Sequence, residues 1–457
     1  MAVHVGRGGG GPVLAVLCTA QFLVVANITL VTILLPALQR DLGFAGGGVQ
    51  WVVSTYTLTF GCSLVIAGRL ADLFGHRRVL GAGLCLFALG SLGCGLAGHP
   101  AVLLVSRGAQ GLGAAAVAAA ALALLIRQFT RDRPRALAWW SASQALGGAS
   151  GWLLGGVLSE VVGWRGVFLG NAALALLCAV LSPLLMPVGS RSARRVDVAG
   201  GALITLAMFL LVLGLTEAAD PRTGPALLAG GALALVGFAL VERRATDPVV
   251  PLVALRSRSL VTGTAVIALI NAITTPVLTL CALHLQGARG VGAAWSGALF
   301  VPFNLAVIAG SVLAARRVGG RRGVRLAVMA AAVGAIAAGA GVLVLLPSTG
   351  AFVVPVLVGF ALLGLGGGSA SVAANAEGTA GIAPGTADER GGVAGGLLNT
   401  ATELGVALGM AVFVTVGTGQ GGLRAALTAA AGTGLLIALG LLALARRQVP
   451  AAMAVDS

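Results

Sequence analysis

The chain has 457 residues, of which 58% are hydrophobic and 9% charged, with a mean hydropathy of +1.01. That balance excludes a water-soluble globule, whose surface needs far more charge. The formal net charge of +15 is carried by arginine alone and collects in alternate loops, so no nucleic-acid partner is expected and the pattern is that of a protein in a lipid bilayer.

In chain order, fourteen apolar runs are long enough to cross the bilayer. Residues 1–12 are short, glycine-rich and basic, and read as a cytoplasmic tail with no cleavable signal. Six spans follow, at 13–36, 49–67, 79–98, 101–126, 136–159 and 166–187, within a bundle covering 13–190. Two inserted spans, 198–216 and 225–241, lie with their linkers in 191–258. Six more, at 260–283, 294–315, 325–346, 351–374, 391–416 and 424–445, make a second bundle over 259–447, and 448–457 form a second cytoplasmic tail. The expected fold is an all-α polytopic membrane protein with two six-helix bundles plus two inserted helices. No alternating strand pattern suggests a β-barrel.

Arginine sets the expected orientation. The loops after even-numbered spans carry Arg69, Arg77 and Arg78; Arg127, Arg131, Arg133 and Arg135; and Arg316, Arg317, Arg321, Arg322 and Arg325, while the odd loops hold few. Both termini are therefore expected in the cytoplasm, in a plasma membrane.

The six cysteines lie inside apolar runs without CxxC spacing, and the four histidines are scattered. Neither a metal set nor a cofactor is expected. No HExxH or paired carboxylates point to a membrane enzyme, and no glycine run ends in the GK[ST] of a phosphate loop.

Between spans 2 and 3 lies a tight polar break, 68–78, with Gly68, Asp72, Gly75, Arg77 and Arg78. A carboxylate at a helix end can pair with an arginine and act as a cytoplasmic lock. The two glycines permit close helix approach and a tight turn. Residues 313–322 echo this loop at the equivalent place in the second half, without the acid.

Arg107 sits within span 4, where a charge is costly and is expected to face the bundle interior. It either tunes a protonatable group, binds an anionic substrate, or is an interhelical hydrogen-bond anchor to helix 1 or 2. Glu403 is an acid inside span 13 and a candidate proton carrier, or else a hydrogen-bonded carboxyl. Gly147, Gly151 and Gly155 recur every four residues, beside Gly148 and Gly156, and favour close packing on another helix. Trp152 points off that face, towards a cavity or lipid. Asn27, Thr29, Tyr56, Gln110, Gln144, Asn271 and Asn399 are candidates for a cavity lining or for interhelical glue.

Four stretches resemble those of the fourteen-helix drug:proton antiporters of the major facilitator superfamily. They are the 68–80 loop; Arg107, Gln110, Gly111 and Gly113, like R-x-x-Q-G-x-G; Gly147 to Gly156, like the antiporter signature of helix 5; and Asn27 to Pro36 of helix 1. Trp51 and Tyr56 fit the family's W-x4-Y. Three departures stand out: Leu73 and His76 replace usually basic residues, Trp152 replaces the helix 5 proline, and Asn27 replaces the helix 1 acid. The resemblance implies proton coupling through Arg107. It implies a monomeric transporter that is not an enzyme and exports a small amphipathic drug or antibiotic in exchange for protons. A facilitator or importer is the alternative.

Overall fold

The computed structural model describes residues 10–44, 46–129, 133–186, 198–217, 222–244, 257–318, 322–346, 351–380, 397–398, 401–402, 404–406, 408–418 and 422–448. Among them the regular structure is all helical. Helices α1 (Gly10–Leu42), α2 (Trp51–Phe74), α3 (His76–Gly95), α4 (Pro100–Gln128) and α5 (Arg133–Leu185) open the chain. Helices α6 (Val198–Thr216) and α7 (Thr223–Arg244) follow. Then come α8 (Arg258–Leu283), α9 (Ala293–Leu299), α10 (Val301–Ala315), α11 (Arg322–Val344), α12 (Val353–Thr379) and α13 (Gly422–Gln448).

Ten helices among the described residues are long and apolar enough to span a membrane, or eleven if the bent pair 48–64 and 66–74 is one span. Fewer spans qualify than the fourteen expected, for three reasons. Two expected spans run together in α5, interrupted only by Gly163 with φ 70° and ψ 166°. The apolar part of α6, Ala199–Leu211, is short, as is Leu404–Phe413. The expected span at 391–416 is interrupted by positions that lie outside the described residues.

The chain divides into two compact units. The first comprises Met1–Leu213, Pro225–Val249 and Gly292–Gly297; the second comprises Gly214–Gly224, Val250–Val291 and Ala298–Ser457. In the first, α1 packs on α5, and α4 packs on both α2 and α3. Of the inserted helices, α6 docks on α2: Thr205 Oγ1 donates to the Cys62 carbonyl at 2.7 Å. In the second unit, α12 packs on α8, α10 and α11, and α13 packs on α11.

Both units use glycine where two helices meet most closely. A Cβ on Gly147 would stand 2.9 Å from the Phe22 carbonyl oxygen, one on Gly151 2.8 Å from that of Ala26, and one on Gly155 2.9 Å from that of Leu30. One face of α5 thus lies backbone to backbone on α1, as the four-residue spacing implies. Helix association in lipid depends on such close packing, because lipid tails are as apolar as leucine. In the second unit Gly364 and Gly368 of α12 meet the carbonyls of Phe303 and Val307 on α10 in the same way. Other large apolar side chains point outward: Leu89 is 64% exposed, Val105 75% and Leu184 73%. In water such faces would aggregate; here they meet lipid.

Gly151→Leu is therefore expected to separate α1 from α5 and to destabilise the first unit by about 1–3 kcal/mol or more, the usual cost of overpacking. Thermal melting of the detergent-purified protein measures it. An unchanged melting temperature would mean that the two helices do not lie this close.

Candidate functional site

The first unit holds a fully buried polar cluster. Arg107, Asn27, Gln110 and Tyr56 are all 0% exposed. Their positions follow from the packing just described. Gly111, one residue after Gln110, would place a Cβ 2.5 Å from the Tyr56 carbonyl, so α4 lies almost in backbone contact with α2. Gly90 of α3 lets Gln110 approach equally closely, with Cβ to Gln110 N at 2.7 Å. The arginine is thereby held against three helices.

Its guanidinium is shared among neutral groups. Nε donates to the Val52 carbonyl at 2.8 Å, and Nη1 donates to Gln110 Oε1 at 2.5 Å and to Asn27 Oδ1. Gln110 Nε2 donates to Ser91 Oγ at 2.7 Å, and Ser91 donates on to the Phe87 carbonyl at 2.7 Å. The guanidinium carbon lies 4.3 Å from the centre of the Tyr56 ring, a cation–π contact. Tyr56 in turn donates to the Val24 carbonyl of α1 at 2.9 Å. Among the described residues no Asp or Glu pairs with Arg107. Arg107 Nη2 and Asn27 Nδ2 are buried without a hydrogen-bond partner.

Four of the expected site residues, from α1, α2 and α4, therefore converge on one point, and Ser91 joins them unforeseen. Others do not converge. Thr29 donates to the carbonyl of Ala26 in its own helix at 3.2 Å and lies against Gly151. Asn271 donates back to Ile267 in the second unit. Gln144 is half-buried on α5. Trp152 is 3% exposed, so it does not meet lipid. Gly156 faces Ala293, a residue of the same unit, rather than α1. Glu403 and Asn399 lie outside the described residues.

The 68–78 break is a helix-to-helix corner. Gly75 has φ +95° and ends α2, with its N–H donating to the Ala71 carbonyl at 3.0 Å. A side chain there would be strained. Gly68 needs no such freedom, because a Cβ on it would meet nothing within 4 Å. Its expected role in close helix approach is thus corrected. Asp72 does not pair with Arg77 or Arg78 either. It meets His76 Nε2 at 3.3 Å, one helical turn on, and Arg127 of α4 at 4.0 Å. Arg77 instead donates to the Met186 carbonyl beyond α5 at 2.8 Å, and Arg78 is exposed. The break between helices turns both arginines away from the acid, and His76 takes the place of the usual basic residue.

The second half was expected to lack an acid at the equivalent corner; the structure supplies one from elsewhere. Glu377, at the end of α12 and 0% exposed, accepts from Arg322 Nε at 2.6 Å and from Arg325 Nε at 2.8 Å. The signal was available: the chain has only fourteen Asp and Glu residues, so an acid three residues beyond an expected span end is conspicuous.

Residues 17–385 match the family model described as Major Facilitator Superfamily. The chain is 38% identical to the cephamycin export protein CmcT of Amycolatopsis lactamdurans, over 89% of this chain and 85% of that one. It is also 38% identical to the puromycin resistance protein pur8 of Streptomyces alboniger, over 89% and 81%. Among solved structures, the POT family transporter PepTSo superposes with a TM-score of 0.71 at 16% identity, over 96% of this chain and 98% of that one, a likeness of fold. With apolar helices throughout, a buried arginine cluster and a match over most of its length, the chain is a multi-pass membrane transporter, not an enzyme, and belongs to the major facilitator superfamily.

Proposed function

We propose that this transporter exports a small amphipathic drug or antibiotic across the plasma membrane by alternating access, in exchange for protons. The observation that carries the reading is the similarity, over nearly nine-tenths of the chain, to relatives named for antibiotic export and resistance. The buried Arg107 cluster agrees with it, since an ionisable group at membrane depth is expensive to keep and is functional by default. Arg107 and Glu403 are the proton-coupling candidates. The chain works as a monomer with fourteen spans and both termini in the cytoplasm. The break within α5 and the two short apolar helices support that count.

A susceptibility panel in a pump-deficient host, with and without a protonophore, tests the proposal. Raised tolerance that the protonophore abolishes supports it. Tolerance that survives the protonophore would leave a facilitator, and raised sensitivity an importer.

The Asp72 corner is the cytoplasmic latch of the first unit. Its acid is half-exposed, and such pairs contribute at most about 1 kcal/mol, so Asp72→Asn is expected to slow export roughly fivefold with normal membrane abundance. Export at the wild-type rate would remove the latch from the mechanism.

A further inference from the structure

Arg107 is a permanent cation held in a dry interior, and every group that accepts from it is neutral: a backbone carbonyl, Asn27 Oδ1 and Gln110 Oε1. Guanidinium stays protonated throughout the physiological range. A buried charge is ordinarily balanced by an opposite one. Here the position on α1 that touches it carries the uncharged Asn27, and no Asp or Glu pairs with Arg107 among the described residues.

The hydrogen-bond inventory points the same way. The two buried polar atoms of this cluster without partners, Arg107 Nη2 and Asn27 Nδ2, are both donors. They belong to side chains already joined by a hydrogen bond, so they are close neighbours. What is missing is an acceptor carrying negative charge. Arginine with a flanking amide matches the planar, two-oxygen geometry of a carboxylate. The Tyr56 ring beneath the guanidinium suits the apolar part of an amphipathic molecule.

We propose that the Arg107–Asn27 pair is the binding site for the carboxylate of the exported compound, so that the preferred substrates are amphipathic carboxylic acids. This rests on the export reading and specifies its substrate class. In the present conformation the site is closed, and the carboxylate enters in a state that opens it. Asn27 fills a double role: its oxygen fixes the guanidinium, and its amide nitrogen donates to the ligand.

The test uses full-length protein in detergent micelles and two fluorescent probes, dansyl-leucine and its methyl ester, at neutral pH, where the free acid is ionised. The acid is expected to bind at least tenfold more tightly than the ester by fluorescence anisotropy. Asn27→Asp changes one atom pair, keeps the shape and neutralises Arg107 from within. It is expected to abolish the preference while the protein stays folded by size-exclusion chromatography. Equal binding of acid and ester, binding of neither, or a preference that survives Asn27→Asp overturns the site. Cells expressing the wild-type protein report separately on export. If they still expel neutral compounds while the purified protein shows no acid preference, the export reading stands and the carboxylate site falls. If they expel nothing, export itself fails, whatever the probes bind.

Discussion

Replacing Glu377 by alanine is expected to destabilise the second unit by roughly 3 kcal/mol. The carboxylate is 0% exposed and accepts from two arginines at 2.6 and 2.8 Å. Its removal leaves two like charges facing each other. Breaking a buried pair costs about 3–5 kcal/mol when the surviving charge is fully enclosed. The lower end applies here because the side chains of Arg322 and Arg325 keep 28% and 14% of their exposure. For a unit of this size the loss lowers the melting temperature by about 6–12 °C. Glu377→Gln keeps one acceptor and the shape but gives up the charge, so it is expected to fall between alanine and the wild type. Scanning fluorimetry of the purified variants reads both. If alanine melts with the wild type, the two arginines are satisfied by water and the triad contributes nothing.

That triad also shows where reading the sequence stopped. Helix identity was legible because hydropathy acts locally: each apolar run reports its own fate in lipid. The Gly147–Gly151–Gly155 face was legible because a four-residue period is a property of one helix. So was Gln110 beside Arg107, three residues apart on α4. Helices 1 and 2 were also legible as possible anchors of Arg107, but the individual partners that tertiary packing brings in were not. Asn27 lies 80 residues before Arg107, and Glu377 lies 55 residues after Arg322. Asp72 went astray for a different reason. Its neighbours in sequence, Arg77 and Arg78, are basic, but Gly75 turns the chain between them and the acid. The nearer His76 and the remote Arg127 take their place. Thr29 was a candidate for a cavity lining or for interhelical glue. Donating to a carbonyl of its own helix satisfies its hydroxyl without either.

Arg107→Lys is expected to reduce export about 10- to 100-fold while leaving the protein in the membrane. The substitution keeps the charge and removes the geometry. Guanidinium presents a rigid fork: Nε serves Val52, Nη1 serves Gln110 and Asn27, and the flat face lies on Tyr56. An ammonium is a point charge on a flexible stem and cannot meet acceptors on α1, α2 and α4 from one position. Each charge-assisted hydrogen bond lost costs about 1.5–3 kcal/mol, and 1.4 kcal/mol is a factor of ten in an equilibrium. One such loss therefore accounts for the expected effect. Initial rates of efflux from loaded cells, normalised to transporter abundance, measure it. Wild-type export by Arg107→Lys would mean that only the charge matters. Gln110→Ala removes one of the acceptors. If the fork is the functional unit, its effect is large in the wild-type background and small in the Arg107→Lys background, where the contact is already released. A double-mutant cycle that gave simple additivity would show instead that Arg107 and Gln110 act independently.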